Sequence, residues 1–188
     1  MYWSRTVTEM DVTEQVIAIK SDLLGREVTI TLLMPDNYDR SEPLNLLLLN
    51  DGQEIENLKL KESLESLYNT YRLKPVLVVA IHASEERLLE YGVAGKPDFK
   101  QRGSKAAAYT KFITAELLPA IKKETGITEF EVTAFAGFSL GGLSAMDIAW
   151  NNPQLFNKAG VFSGSFWWRS KELGKGYTES DRIMHSVI

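Results

Sequence analysis

Glu131-Val-Thr-Ala-Phe-Ala-Gly-Phe-Ser-Leu-Gly-Gly-Leu-Ser-Ala-Met-Asp-Ile-Ala-Trp150 changes character at Ser139. Before it, Val132, Phe135 and Ala136 suit a buried strand; after it, Leu143, Met146, Ile148 and Ala149 recur at helical spacing. The serine therefore lies at a strand-to-helix junction. Gly137, Gly141 and Gly142 are expected to let the backbone turn where bulkier residues would resist. Gly137-Phe-Ser-Leu-Gly141 fits the G-x-S-x-G nucleophile elbow, in which a strained turn lifts a serine hydroxyl above the sheet. An ordinary βα turn with Ser139 as N-cap is the plainer alternative. A phosphate loop fits poorly, because no Lys-Ser/Thr follows the glycines and Gly137 to Gly142 does not spell the dinucleotide fingerprint.

Outward from this junction, the elements alternate. Gln15 to Lys20 and Glu27 to Leu33 alternate apolar and polar residues, with Leu24-Gly25-Arg26 as the turn of an N-terminal hairpin. Leu44 to Leu49 and Pro75 to Ile81 are continuous apolar runs, as central parallel strands are. Leu58, Leu60, Leu64, Leu67, Tyr68 and Tyr71 predict the crossover helix between them. Tyr109, Phe112, Ile113, Leu117, Ala120 and Ile121 predict another over 104–124, kinked or broken at Pro119. A last apolar run is Ala159-Gly-Val-Phe162. The order predicts one α/β domain over 1–188, with a doubly wound, mostly parallel sheet and an antiparallel hairpin at its start.

Composition narrows the function classes. The 188 residues are 44% hydrophobic, enough for one domain with a sizeable core. A net charge of −4 argues against a broad nucleic-acid surface, which needs clustered Lys and Arg. There is no cysteine, so disulfide and thiolate chemistry are excluded. The first ten residues lack the pattern of a signal peptide, and no run reaches transmembrane length, so a cytoplasmic protein without a membrane partner is expected. No metal or cofactor motif is present.

Ligands of open α/β sheets gather beyond the carboxyl ends of the strands. Four segments follow such ends: Asn50-Asp-Gly-Gln53, His82-Ala-Ser84, Ser139, and Ser163-Gly-Ser-Phe-Trp-Trp168. An attacking serine needs backbone donors for its oxyanion. The Leu140 amide is one, and Gln53, after the flexible Gly52, is the candidate for the second, unless Asp51-Gly52 is only a tight turn. Trp167 and Trp168 either offer a face to an aromatic or sugar-like group or cover the core.

Leu49-Asn-Asp-Gly-Gln53, Arg87-Leu-Leu-Glu-Tyr91, Phe112-Ile-Thr-Ala-Glu-Leu-Leu-Pro119, Ala136-Gly-Phe-Ser-Leu-Gly-Gly142 and Phe162-Ser-Gly-Ser-Phe-Trp-Trp168, taken together, resemble the putative esterase family of α/β-hydrolases, which includes esterase D and the enterochelin esterases. The resemblance implies hydrolysis of a small-molecule carboxylic ester, with Ser139 as nucleophile and Gln53 and Leu140 as oxyanion donors. Asp51, Arg87, Trp167 and Trp168 stand as candidate substrate contacts. Arg87, Glu90 and Tyr91 would lie on a loop beside the cleft, unless Arg87 and Glu90 form a solvated ion pair.

In this fold the acid and histidine follow the serine. His185, the one histidine after Ser139, falls on the polar side of an expected capped helix from Ser180, opposite Ile183, Met184, Val187 and Ile188. His82 precedes the serine, and Asp147 reads as a surface residue. The chain stops on an apolar stripe, so the acid and histidine are expected beyond Ile188, with exposed apolar surface at the sheet edge and beside the last helix favouring self-association. A non-catalytic binding module and an acyltransferase using the same serine are the alternative functions.

Overall fold

The computed structural model describes residues 9–39 and 41–186. Two long strands, β1 (Val12–Ser21) and β2 (Arg26–Pro35), form the expected antiparallel hairpin, with Ser21 opposite Arg26 and Gly25 at positive φ in its turn. β3 (Asn45–Asn50), β4 (Val76–Ile81), β5 (Thr133–Phe138) and β6 (Lys158–Phe162) complete a six-stranded sheet in the order β1-β2-β4-β3-β5-β6. β3 is parallel to both β4 and β5, and β5 to β6, while β2 joins β4 antiparallel. All six residues of β4 are buried, which explains its unbroken apolar sequence.

Helices cover both faces. α1 (Leu60–Asn69) buries Leu64 and Tyr68 on one side, against Leu33, Leu49, Val78, Ala80 and Ala136. On the other lie α3 (Ala106–Lys111), α4 (Leu118–Thr125) and α5 (Leu140–Asn151), against Ile30, Leu48, Val79 and Phe135. Tyr71, expected on the α1 stripe, lies beyond the helix and is exposed.

Pro119 neither breaks nor ends its helix. The run from Ala106 to Thr125 passes through a π turn, Phe112–Leu117, where the Leu118 N–H donates to the Ile113 carbonyl. The wider register absorbs the N–H that proline lacks. Gly126, at φ 71, then closes α4 in the left-handed region.

The expected single helix from Ser180 is instead two 3-10 turns, Glu179–Asp181 and Ile183–Ser186, the first held by a Thr178–Asp181 capping box. Ile183 and Met184, expected on an exposed stripe, are themselves buried in the core. Val187 and Ile188 lie outside the described residues. The sheet edge does carry apolar surface: Phe138 and Phe162 stack with centroids 4.8 Å apart and are both exposed beside β6. Among the described residues, no helix is long and apolar enough to cross a membrane.

Candidate active site

Ser139 stands exposed between β5 and α5 at φ 52, ψ −118, a conformation disfavoured for a residue with a side chain. The flanking glycines serve differently from the expectation. None of Gly137, Gly141 and Gly142 has positive φ; each instead permits close approach. A Cβ on Gly137 would lie 2.5 Å from the Gly141 carbonyl, one on Gly142 2.7 Å from the Gly137 oxygen, and one on Gly141 2.8 Å from Asp51 Oδ2. The helix is thus pressed onto the strand, and the serine carries the turn.

Hydrogen bonds fix this corner. The Ser139 N–H donates to the Phe162 carbonyl at 2.9 Å, and the Ser139 carbonyl accepts from Leu143 at 3.1 Å and from Ser165 at 3.0 Å. Ser139 Oγ is 3.2 Å from Ser165 Oγ. Among the described residues, the Leu140 and Gln53 backbone amides have no protein acceptor.

The β3 end is braced by buried polar groups. Asn50 Nδ2 donates to the Gly141 carbonyl at 2.8 Å, and Tyr109 Oη donates to Asn50 Oδ1 at 2.6 Å. The Asp51 N–H donates to Tyr91 Oη at 3.3 Å. Burial raises both phenols well above the usual tyrosine range, keeping them neutral donors and acceptors. Asp51, at φ 62, leads into the 3-10 turn Gly52–Glu54, and Gly52 is pressed so closely on the Ala80 backbone that a Cβ would lie 2.6 Å away. The Gln53 side chain ties this turn to the end of β4 by accepting from the Ala83 N–H at 3.0 Å.

The helix α2 (Arg87–Glu90) contributes two separate ion pairs. Arg87 grips Asp51 through two hydrogen bonds, of 2.6 and 2.8 Å. Glu90, fully buried, is gripped by Arg26 of the hairpin at 2.8 and 2.6 Å. The carboxylate partners raise both guanidinium pKa values. A solvated Arg87–Glu90 pair is therefore ruled out. Asp51 and Arg87 face each other, so each offers a substrate less than an unpaired charge would.

The two tryptophans part company. Trp168 is 0% exposed, its ring against Gly92 and Gly103, and its Nε1 donates to the Lys96 carbonyl at 2.9 Å. It is a core residue, which corrects its reading as a substrate contact. Trp167 is 47% exposed, with the Arg102 guanidinium 4.8 Å and the Arg169 guanidinium 5.8 Å from its ring centroid. It lines a cavity of about 610 Å³ with Phe166, Arg182, Met184 and His185.

Neither histidine meets Ser139. His82 Nε2 pairs with Thr31 Oγ1 at 2.8 Å, and burial lowers its pKa. It directly follows β4, a strand that lies two positions from β5, a strand-to-strand spacing of roughly 10 Å. His185 is exposed on the last 3-10 turn. Asp147 is buried rather than on the surface, accepting from the Ala94 N–H at 2.9 Å and from Asn151 at 3.1 Å. Among the described residues, no group of three or more His, Cys, Asp or Glu could hold a metal ion. Sequence reading put Asn50 and Ser165 in segments beyond strand ends without giving either a role, and read Tyr109 only as part of a helical stripe. Ser165 was within reach, standing two residues past Ser163 at a strand end.

A family model described as "Putative esterase" matches residues 21–187. The chain is 27% identical over 175 residues to the iron(III) salmochelin esterase of Escherichia coli O6:H1, covering 90% of this chain and 40% of that protein. It is 31% identical over 146 residues to the uncharacterized protein YbbA of Bacillus subtilis, covering 74% and 58%. The crystal structure of a Shigella flexneri enterobactin esterase in the presence of enterobactin has the same fold, with a TM-score of 0.72 at 23% identity, over 93% of this chain and 41% of that one. The chain thus spans about two fifths of the salmochelin esterase and under two thirds of YbbA.

Proposed function

We propose, from the premise that this chain belongs to the putative esterase family, that Ser139 is the nucleophile of a carboxylic-ester hydrolase. The carrying observation is the exposed, strained Ser139 between β5 and α5, directly before the Leu140 amide, which lacks an acceptor among the described residues. In this reading Ser139 Oγ attacks the ester carbonyl and its proton passes to a base. The Gln53 and Leu140 N–H groups hold the oxyanion, and the alcohol departs with a proton, leaving an acyl-enzyme that water hydrolyses. Among the described residues neither histidine is hydrogen-bonded to Ser139, and in this reading the base is a group outside them. Relatives named as esterases of salmochelin and enterobactin make those two compounds the first substrates to assay.

The same lack of a histidine beside Ser139 favours a second reading, a binding module that keeps the pocket without the chemistry. A fluorophosphonate probe separates the two, applied to the protein as its own cells make it. Labelling that disappears in Ser139→Ala supports the hydrolase; a folded protein that takes no label supports the module. The exposed Phe138–Phe162 stack beside β6 also supports association of copies along that edge, which light scattering of the purified chain would test.

A further inference from the structure

Ser165 follows β6 and is only 3% exposed, yet it touches Ser139 twice. Its N–H donates to the Ser139 carbonyl at 3.0 Å, and its hydroxyl lies 3.2 Å from Ser139 Oγ. Among the described residues this is the one side-chain hydrogen bond either hydroxyl makes. Ser139 is otherwise exposed, and a serine hydroxyl on an open surface distributes over three staggered positions. A buried partner on a neighbouring strand end selects one of them. The selection is stiff because the loop bearing Ser165 is itself anchored. Trp168, three residues on, is locked between Gly92 and Gly103, and its N–H donates to the Ser165 carbonyl at 3.3 Å.

We propose that Ser165 is a positioning residue, whose hydroxyl holds Ser139 Oγ in the one rotamer from which it attacks. This deepens the hydrolase reading and rests on it. Ser165 makes no bond to substrate and gains or loses no proton overall; it acts through Ser139. A neutral hydrogen bond biases a rotamer equilibrium on the order of fivefold, which sets the size of the effect.

The test compares wild type, Ser165→Ala and Ser165→Thr, each shown to be folded by thermal unfolding. The readouts are the rate of fluorophosphonate labelling at Ser139 and the Ser139 side-chain position in high-resolution crystal structures. Expected is roughly fivefold slower labelling in Ser165→Ala, with Ser139 Oγ spread over two or more rotamers, and near-complete recovery of both in Ser165→Thr. A Ser165→Ala variant labelled at the wild-type rate, or keeping the single wild-type rotamer, overturns the proposal. Wild type that takes no label at all counts against the hydrolase reading, and the rotamer comparison alone then decides the role of Ser165. Should Ser165→Thr fail to fold, Ser165→Ala still decides by both readouts.

Discussion

Arg87 holds both carboxylate oxygens of Asp51, at 2.6 and 2.8 Å, and Asp51 is the residue from which the chain turns to present Gln53. A helix beyond β4 thereby fixes a turn beyond β3. Replacing Arg87 by Met leaves a buried carboxylate unpaired. Breaking such pairs costs about 3–5 kcal/mol in full burial, but the Arg87 side chain is 30% exposed, so we expect about 2–3 kcal/mol. Arg87→Lys should recover only part, since an ammonium cannot reproduce the two-pronged contact. Urea unfolding checks this; a loss below about 1 kcal/mol would mean that the pair behaves as a surface one.

The strain at Ser139 gives a second expectation. A residue held in such a region costs on the order of 1–3 kcal/mol, and glycine escapes that cost at a smaller entropic one. Ser139→Gly should unfold at higher denaturant than Ser139→Ala, by about 1 kcal/mol, while neither variant takes a fluorophosphonate label. Equal stability of the two would show that φ 52 is not strained here.

Trp168→Ala and Trp167→Ala should separate cleanly. The first removes a fully buried ring from between two glycines and should cost about 3–5 kcal/mol; the second removes a half-exposed one and should cost about 1 kcal/mol or less. Thermal unfolding gives the comparison. Similar losses would contradict the burial of Trp168.

Burial raises the Asp147 carboxyl above its ordinary 3.8, against the smaller opposing effect of the Ala94 N–H. Between that value and the raised one, the folded protein binds more protons than the unfolded chain, so this residue makes stability fall as pH rises through the window. Asp147→Asn removes the titration. The stability of wild type relative to Asp147→Asn should decline as pH climbs from about 4. A difference that stays flat, or grows with pH, would reverse the assignment.

The fold was legible because its signals were local. The unbroken apolar run of β4 reports burial on two faces, and the change of period at Ser139 marks where the strand ends. Contacts set by the third dimension were not legible. Arg87 and Glu90 are three residues apart on a short helix, and sequence spacing alone makes them partners. The sheet order instead places Asp51 before one and Arg26 before the other. Trp167 and Trp168 read alike as adjacent aromatics, and only the gap between Gly92 and Gly103 tells them apart. Asp147 looked solvated because nothing in α5 reveals that the Ala94 amide lies beside it.

The parallel pairing of β3 with β5 brings Leu46 beside Thr133, with β4 and the whole α3–α4 run between them in the chain. Asp51, Ser139 and Ser163 all hold positive φ, one at the end of each of β3, β5 and β6. Such conformations persist only where their surroundings enforce them, and these surroundings require the long-range strand pairings to be in place. The poised hydroxyl is thus a property of the assembled sheet, which the residues of the elbow do not hold in place by themselves.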